Sequence, residues 1–152
     1  MRGRLLLLLL LAACAALAAN AIAVATAGAA SGKSATVSVR KVKLGRVLVS
    51  SSGRTLYLFM KDKNGKSACA GACARAWPPL MTSGKPRAGK GVNAKLLGTT
   101  RRASGTQVRY DGHPLYMYFG DKKAGQTNGE GSTAFGAAWY VLAPNGHRID
   151  KS

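Results

Sequence analysis

The chain contains one short pattern twice, and this repeat constrains the fold more than any other feature. Tyr57 to Asp62 has the form Y-x-F-x-x-D, and Tyr116 to Asp121 has the form Y-x-Y-x-x-D. Each copy follows a leucine, with a glycine three residues before it, so the shared pattern is G-x-x-L-Y-x-[FY]-x-x-D. Its recurrence within 152 residues indicates an internal duplication. Residues 57–62 and 116–121 are called the motif segments below.

The residues around the first motif segment predict strands. Val37 to Val49 mostly alternates apolar with polar side chains, which predicts a strand that Gly45 interrupts as a bulge or a turn. Ser51 to Gly53 is a turn signal. Thr55 to Met60 is rich in aromatic and aliphatic residues, and we predict that it is the returning strand of a hairpin.

The second copy has the same order of elements. Asp111 and Gly112 are a strong signal for a type I′ hairpin turn, because both residue types tolerate positive φ. Trp139 to Leu142 is predicted to be a last strand, and apart from a helical turn at Ala72 to Ala76 the chain beyond its N-terminal segment shows little helical pattern. The sequence therefore predicts an all-β fold, with antiparallel sheets built from two related hairpin-loop-strand repeats.

Composition shifts suggest where these units begin and end. The predicted organisation is a signal or anchor segment at 1–30, a linker at 31–40, repeat 1 at 41–81, a connector at 82–95 and repeat 2 at 96–147. Two such repeats would be marginal alone, so we expect them to pair in one compact domain over 41–150 around a shared aromatic core.

The N-terminal segment predicts export. A basic start precedes the leucine run of Leu5 to Leu11, and alanine-rich sequence continues to about Ala30, as in a secretory signal. Three fates fit: cleavage at Ala27 to Ala30, lipidation at Cys14, or retention as a membrane anchor. All three place the folded domain outside the cytoplasm, as a secreted, periplasmic or membrane-tethered protein.

The charge of the chain bears on its partners. The sequence has 23 Lys plus Arg against 5 Asp plus Glu, for a formal net charge of +18. Such a charge favours an anionic envelope component or a membrane surface, although it also suits a solvated surface that keeps the protein soluble. The basic residues are scattered and no base-reading motif is present, so we expect no specific nucleic-acid binding. The sequence does not indicate a protein partner.

The motif segments have a structural and a functional interpretation. In a strand, Tyr57 and Phe59 lie on one face with Leu58 on the other, so the strand is expected to be covered on both faces. Asp62, at the strand end, suits hydrogen bonds from the following turn; alternatively, tyrosine and aspartate line a ligand pocket. The spacing shows no catalytic acid–base set, so we predict that the protein is not an enzyme. In the second copy, Tyr116, Tyr118 and Asp121 correspond to Tyr57, Phe59 and Asp62. Trp139 corresponds to Trp77 of the first copy.

The second repeat lacks the cysteine pair Cys69 and Cys73. Outside the cytoplasm, a disulfide is the first interpretation of a C-x-x-x-C pair, provided that the segment is not a regular helix between the two residues. The alternative is a redox or metal accessory role, in which Cys69, Cys73 and Met60 bind copper. The spacing is not that of covalent haem attachment, and haem is kept with copper only within this alternative. The two histidines, His113 and His147, are typical of surface residues.

These motifs together resemble a family of bacterial secreted repeats and predicted lipoproteins of unknown function, defined by a Yx(FWY)xxD motif. The resemblance covers about residues 42–146. It implies export and duplication, and often a lipid anchor, but no reaction. It is carried by Tyr57, Phe59, Asp62, Cys69, Cys73, Trp77, Pro78 and Pro79 in the first copy and by Tyr116, Tyr118, Asp121, Phe135, Trp139 and Tyr140 in the second.

The sequence as a whole favours an exported cell-envelope module with a non-enzymatic binding or structural role and no cofactor. The redox or metal role is the alternative. Because the Cys69–Trp77 segment is not duplicated in full, it is a better place to look for a specific activity than the motif segments are.

Overall fold

The computed structural model of the protein describes residues 33–150, so the predicted signal segment, Cys14 and the alternatives for export lie outside the described residues. Short strands dominate these residues. The strands are β1 (Thr36–Val42), β2 (Gly45–Ser50), β3 (Tyr57–Phe59), β4 (Arg87–Ala88), β5 (Leu97–Arg102), β6 (Gly105–Tyr110), β7 (His113–Pro114), β8 (Trp139–Leu142) and β9 (Arg148–Ile149). The helices are α1 (Ala72–Ala76) and two 3₁₀ turns, Ala94–Leu96 and Ala134–Gly136. No helix among residues 33–150 combines the length and hydropathy needed to cross a membrane.

The predicted all-β class with little helix is confirmed, and the pairing is almost entirely antiparallel. The exception is a two-residue parallel pair between β1 and β4. It lies in residues that the sequence predicted as a linker (31–40) and a connector (82–95), and its Val37 also falls in the predicted strand Val37 to Val49. Polar and glycine-rich composition concealed β4, because two backbone ladder bonds need no apolar side chains.

The first hairpin differs from its prediction. Val37 to Val49 is two strands, β1 and β2, and the chain reverses before Gly45, which has a φ of 120° that other residues rarely adopt. The predicted return across the Ser51–Gly53 turn survives as one bridge, between Val49 and Thr55. The strand that follows, β3, pairs with β8 of the second repeat instead of with its own hairpin.

In the second repeat, β5, β6 and β7 form a meander. The turn between β6 and β7 has Asp111 at φ 48° and Gly112 at φ 79°. Positive φ at both central residues is the requirement of a type I′ turn, so the predicted turn is confirmed.

The two motif segments lie side by side. Tyr57 donates its N–H to the carbonyl of Tyr116 at 2.8 Å, and Tyr116 donates its N–H to the carbonyl of Tyr57 at 3.0 Å. A reciprocal bridge between corresponding residues of two copies indicates a pseudo-twofold axis at this point. The duplication of the sequence is thus a duplication in space, with the repeats face to face across their motifs.

Each motif segment also pairs with the tryptophan-bearing segment of the other repeat. In β3, Tyr57 is opposite Val141 of β8. On the other side of the axis, Tyr116 is opposite Pro79, and Met117 donates its N–H to the carbonyl of Pro78 at 2.8 Å. The repeats therefore exchange strands: neither contains all the partners of its own motif segment.

Two buried clusters lie on the two faces of this central arrangement. Tyr57 and Phe59 belong to the aromatic cluster, while Leu56 and Leu58 belong to an aliphatic one. A strand covered on both faces was predicted from its large apolar residues, and the burial confirms it. Met60 is the exception, since 39% of its surface is exposed where the strand ends.

Candidate functional site

Four aromatic rings stack in a row through the centre of the molecule. Phe59 lies 4.0 Å from Trp139, Trp139 lies 3.9 Å from Trp77, and Trp77 lies 4.4 Å from Tyr118, each measured between ring centroids. The order is symmetric, because Phe59 and Tyr118 are corresponding motif residues and the two tryptophans begin corresponding segments. We call these four residues the aromatic ladder.

The motif tyrosines close the ladder from its edges. Tyr57 meets Trp77 edge-on at 5.3 Å and Tyr116 meets Trp139 edge-on at 5.2 Å. Both geometries are among those that aromatic pairs prefer. Gly129 packs against the edge of Trp77, where an added Cβ would lie 2.6 Å from the indole ring, so this position of the glycine-rich loop requires glycine.

The polar ends of the motif are crossed between the repeats. Tyr57 donates its hydroxyl to Asp121 Oδ2 at 2.6 Å, and Tyr116 donates its hydroxyl to Asp62 Oδ2 at 2.8 Å. The second oxygen of each carboxylate accepts a backbone N–H of the loop that follows, from Ala68 for Asp62 and from Asn128 for Asp121. Each aspartate thus accepts a hydrogen bond from the loop that follows it, as predicted. Each also accepts one from the tyrosine of the other repeat, which was not predicted.

Burial controls the ionisation of these groups. It raises the pKa of both Tyr57 and Tyr116 far above the ordinary value of tyrosine, so both hydroxyls stay protonated and donate. Burial also raises the pKa of Asp62, against the hydrogen bonds from Ala68 and Tyr116, which lower it. The arrangement suits a structural cross-link, since both carboxylates are already hydrogen-bonded to the motif tyrosine of the other repeat and to a backbone N–H.

Asp62→Asn is expected to change how stability depends on pH. Because burial raises the pKa of Asp62 in the folded state, the folded protein binds this proton more tightly than the unfolded chain does. The resulting contribution is complete below the unfolded pKa of about 3.9 and is lost as pH rises through the folded pKa. The unfolding free energy of the wild type, minus that of the variant, should therefore increase between about pH 7 and about pH 4 in urea titrations. A difference that is constant or falls on acidification would show that Asp62 is not desolvated.

The predicted disulfide is present. Cys69 and Cys73 are bridged with a Cα–Cα distance of 5.3 Å, and both residues are buried against the aromatic cluster. Helix α1 begins only at Ala72, so the bridge joins an irregular loop to the first turn of the helix. We call Lys66–Ala74 the disulfide loop.

The structure separates the residues of the metal alternative. Met60 lines a cleft of about 330 Å³ to which Cys69 and Cys73 do not contribute. His113 and His147 line the same cleft, and the Met60 sulfur accepts a hydrogen bond from Arg148. Within residues 33–150, no group of three or more His, Cys, Asp or Glu side chains is arranged to hold a metal ion. The sequence did not indicate that the two histidines share a cleft.

A further cleft, of about 480 Å³, lies between the disulfide loop and the tip of the β5–β6 hairpin. We call it the disulfide cleft. Its basic side chains are Lys66, Arg101 and Arg102, and its hydroxyls are those of Ser67 and Ser104. The cleft thus lies between the non-duplicated cysteine segment, which the sequence suggested as the place of a specific activity, and a hairpin of repeat 2 for which the sequence suggested no role.

Sequence reasoning also missed the partly buried Glu130 and the buried Gln107. Glu130 accepts the N–H of Val141 at 2.6 Å, and burial raises the pKa of its carboxyl. Gln107 is fully buried and donates to the carbonyl of Leu115. Gln107 shares its strand face with Gly105 and Arg109, so the alternation of side chains gave no signal that it is buried.

The fold and the crossed motif define a class: a module made of two interlocked copies of one β repeat. The family model Lipoprotein_15, described as a secreted repeat of unknown function, matches residues 38–81 and 98–143. The chain belongs to this family. The matched ranges agree with the two repeats seen in the structure. No curated protein and no solved structure matches the chain.

Proposed function

We propose that this exported repeat protein is a non-enzymatic envelope module that binds an anionic component of the cell envelope through its basic exterior. One observation carries the proposal: the fold turns its few carboxylates inward and its many cations outward. Asp62, Asp121 and Glu130 all accept hydrogen bonds from the interior. Only Asp111 and Asp150 of the acidic residues are exposed.

The cations have the opposite distribution. Every lysine of residues 33–150 is exposed, and so is every arginine except Arg54, Arg102 and Arg109. The single salt bridge seen in this part of the chain joins Arg148 to Asp150, at 3.5 Å. The exterior is therefore strongly positive and largely uncompensated, which favours association with polyanions over a neutral partner.

The expected result is retention on anionic surfaces that falls with salt. The protein, expressed from residue 31, should bind vesicles rich in phosphatidylglycerol, and an anionic wall polymer, at an ionic strength of about 0.01 M and should release them at about 1 M. Co-sedimentation measures both. Neutral phosphatidylcholine vesicles and lysine-acetylated protein are the controls and should show little binding. Retention that salt does not change, or equal retention on neutral vesicles, would contradict the proposal.

A further inference from the structure

The hairpins of the two repeats correspond in position but differ in chemistry. The register of β1 with β2, and of β5 with β6, makes Arg102 the counterpart of Val42 and Ser104 the counterpart of Leu44. Val42 and Leu44 pack against the aromatic cluster and close that side of the molecule. In repeat 2 the same positions carry a cation and a hydroxyl, and the disulfide cleft lies there instead.

The difference continues along the strand. By the same register, Gln107 of β6 corresponds to Val47 of β2, which is a buried member of the aromatic cluster. Gln107 is as fully buried as Val47. A buried polar side chain costs free energy unless it is hydrogen-bonded. Repeat 2 therefore has a buried group that needs a hydrogen-bond partner at a position where repeat 1 has an apolar side chain.

Gln107 helps to fix the guanidinium of Arg102. Arg102 donates to Gln107 Oε1 at 2.7 Å, to Ser67 Oγ at 2.7 Å and to the carbonyl of Cys69 at 2.6 Å. These three bonds hold a half-buried cation against the disulfide loop. A charge held in place in this way loses little conformational entropy when an anion binds beside it.

The rim of the cleft adds mobile charge. Lys66 stands on the disulfide loop and Arg101 on the end of β5, both exposed. The lining contains no acidic side chain, and apart from the two serine hydroxyls its other residues are small or apolar. The Ser67 hydroxyl is already hydrogen-bonded to Arg102, Tyr116 and Cys69, so the cleft offers three cations, the Ser104 hydroxyl and free volume in one place.

We propose that the disulfide cleft binds a phosphate group, with Arg102 at its wall and Lys66 and Arg101 closing on it from the rim. Arginine and lysine around a space of this kind suit a phosphate, whose oxygens accept several charge-assisted hydrogen bonds. The proposal deepens the proposed function, because it assigns the anionic ligand a chemical class and a specific place.

The test compares two charge reversals at corresponding positions. Arg101→Glu alters the cleft, while Lys41→Glu makes the same change of charge at the corresponding exposed position of the β1–β2 hairpin. Inorganic phosphate is titrated into ¹⁵N-labelled protein at constant ionic strength. In the wild type and in Lys41→Glu we expect saturable shifts of backbone amides at residues 66–74 and 101–105. In Arg101→Glu the affinity should fall about tenfold or more, as a charge-assisted contact becomes a repulsion.

The outcomes separate this site from the general surface. Absence of saturable shifts at the cleft, or equal phosphate affinity in the two variants, would overturn the site even if the protein is still retained on anionic vesicles. Conversely, selective loss in Arg101→Glu would support the site even if no envelope surface retains the protein, and the proposed function would then fail alone.

Vesicles containing phosphatidylglycerol distinguish the source of the phosphate. If Arg101→Glu weakens vesicle binding much more than Lys41→Glu does, the cleft takes a lipid headgroup. If the variants bind vesicles equally while their phosphate titrations differ, the ligand is a soluble or polymer-borne phosphate. Either result supports the cleft as a phosphate site.

Discussion

Trp77→Ala and Trp139→Ala are each expected to lower the free energy of unfolding by about 3–5 kcal/mol, the usual cost of truncating a large buried aromatic side chain. Both indoles are buried and stack on each other in the aromatic ladder. A domain of this size has about 5–15 kcal/mol of stability in total, so either substitution should remove a large fraction of it. Urea denaturation followed by circular dichroism measures the loss.

The effect should be at least as large for Trp139, because its indole N–H also donates to the carbonyl of Ala134 at 2.8 Å. Phe119→Ala is the matched control, since this aromatic ring is 53% exposed. Substitutions at such positions usually change stability by no more than about 0.5 kcal/mol. A Trp139→Ala variant as stable as Phe119→Ala would show that the ladder is not the centre of the core.

Much of the local structure was predictable from the sequence. The two faces of β3 followed from alternation of side chains, and the turn at Asp111 followed from the φ values that its residues tolerate. The bridge between Cys69 and Cys73 followed from their spacing and the predicted export. These features depend on neighbours in the chain, which periodicity and turn chemistry describe directly.

The exchange between the repeats was not predictable in the same way. The segments Trp77–Leu80 and Trp139–Leu142 would satisfy either motif segment equally well by local pattern, so nothing in the sequence indicates that each pairs with the other copy. The crossed bonds from Tyr57 to Asp121 and from Tyr116 to Asp62 are a consequence of that exchange. Long-range choice between equivalent partners is decided by packing of the whole domain.

The sequence indicated only one of the two walls of the candidate binding site. The non-duplicated cysteine segment pointed to one wall of the disulfide cleft. The other wall is recognised only when the copies are aligned by their strand register, which makes Arg102 the counterpart of Val42 and Gln107 the counterpart of Val47. The repeated motif was one candidate for a ligand site. Its tyrosine and aspartate side chains instead form hydrogen bonds that join the two repeats.

Cutting the chain between Val92 and Asn93 is expected to leave two pieces that do not fold separately. The first piece keeps β1, β2 and β4 but loses β8, the partner of β3. The second piece loses the Pro78–Leu80 segment that pairs with the residues after Pro114. Each piece also keeps only half of the aromatic ladder. Circular dichroism of each purified piece should show little ordered structure, whereas a chain cut in this loop after folding should keep its native spectrum.

The most direct test of the interlocked fold is a ¹H–¹⁵N spectrum of the labelled first piece, residues 33–92, before and after addition of the unlabelled second piece. The exchange of strands predicts a narrow, unfolded spectrum alone and a dispersed spectrum, matching the intact protein, on mixing. A dispersed, native-like spectrum of the first piece on its own would contradict the account, because it would show that a repeat completes its own core.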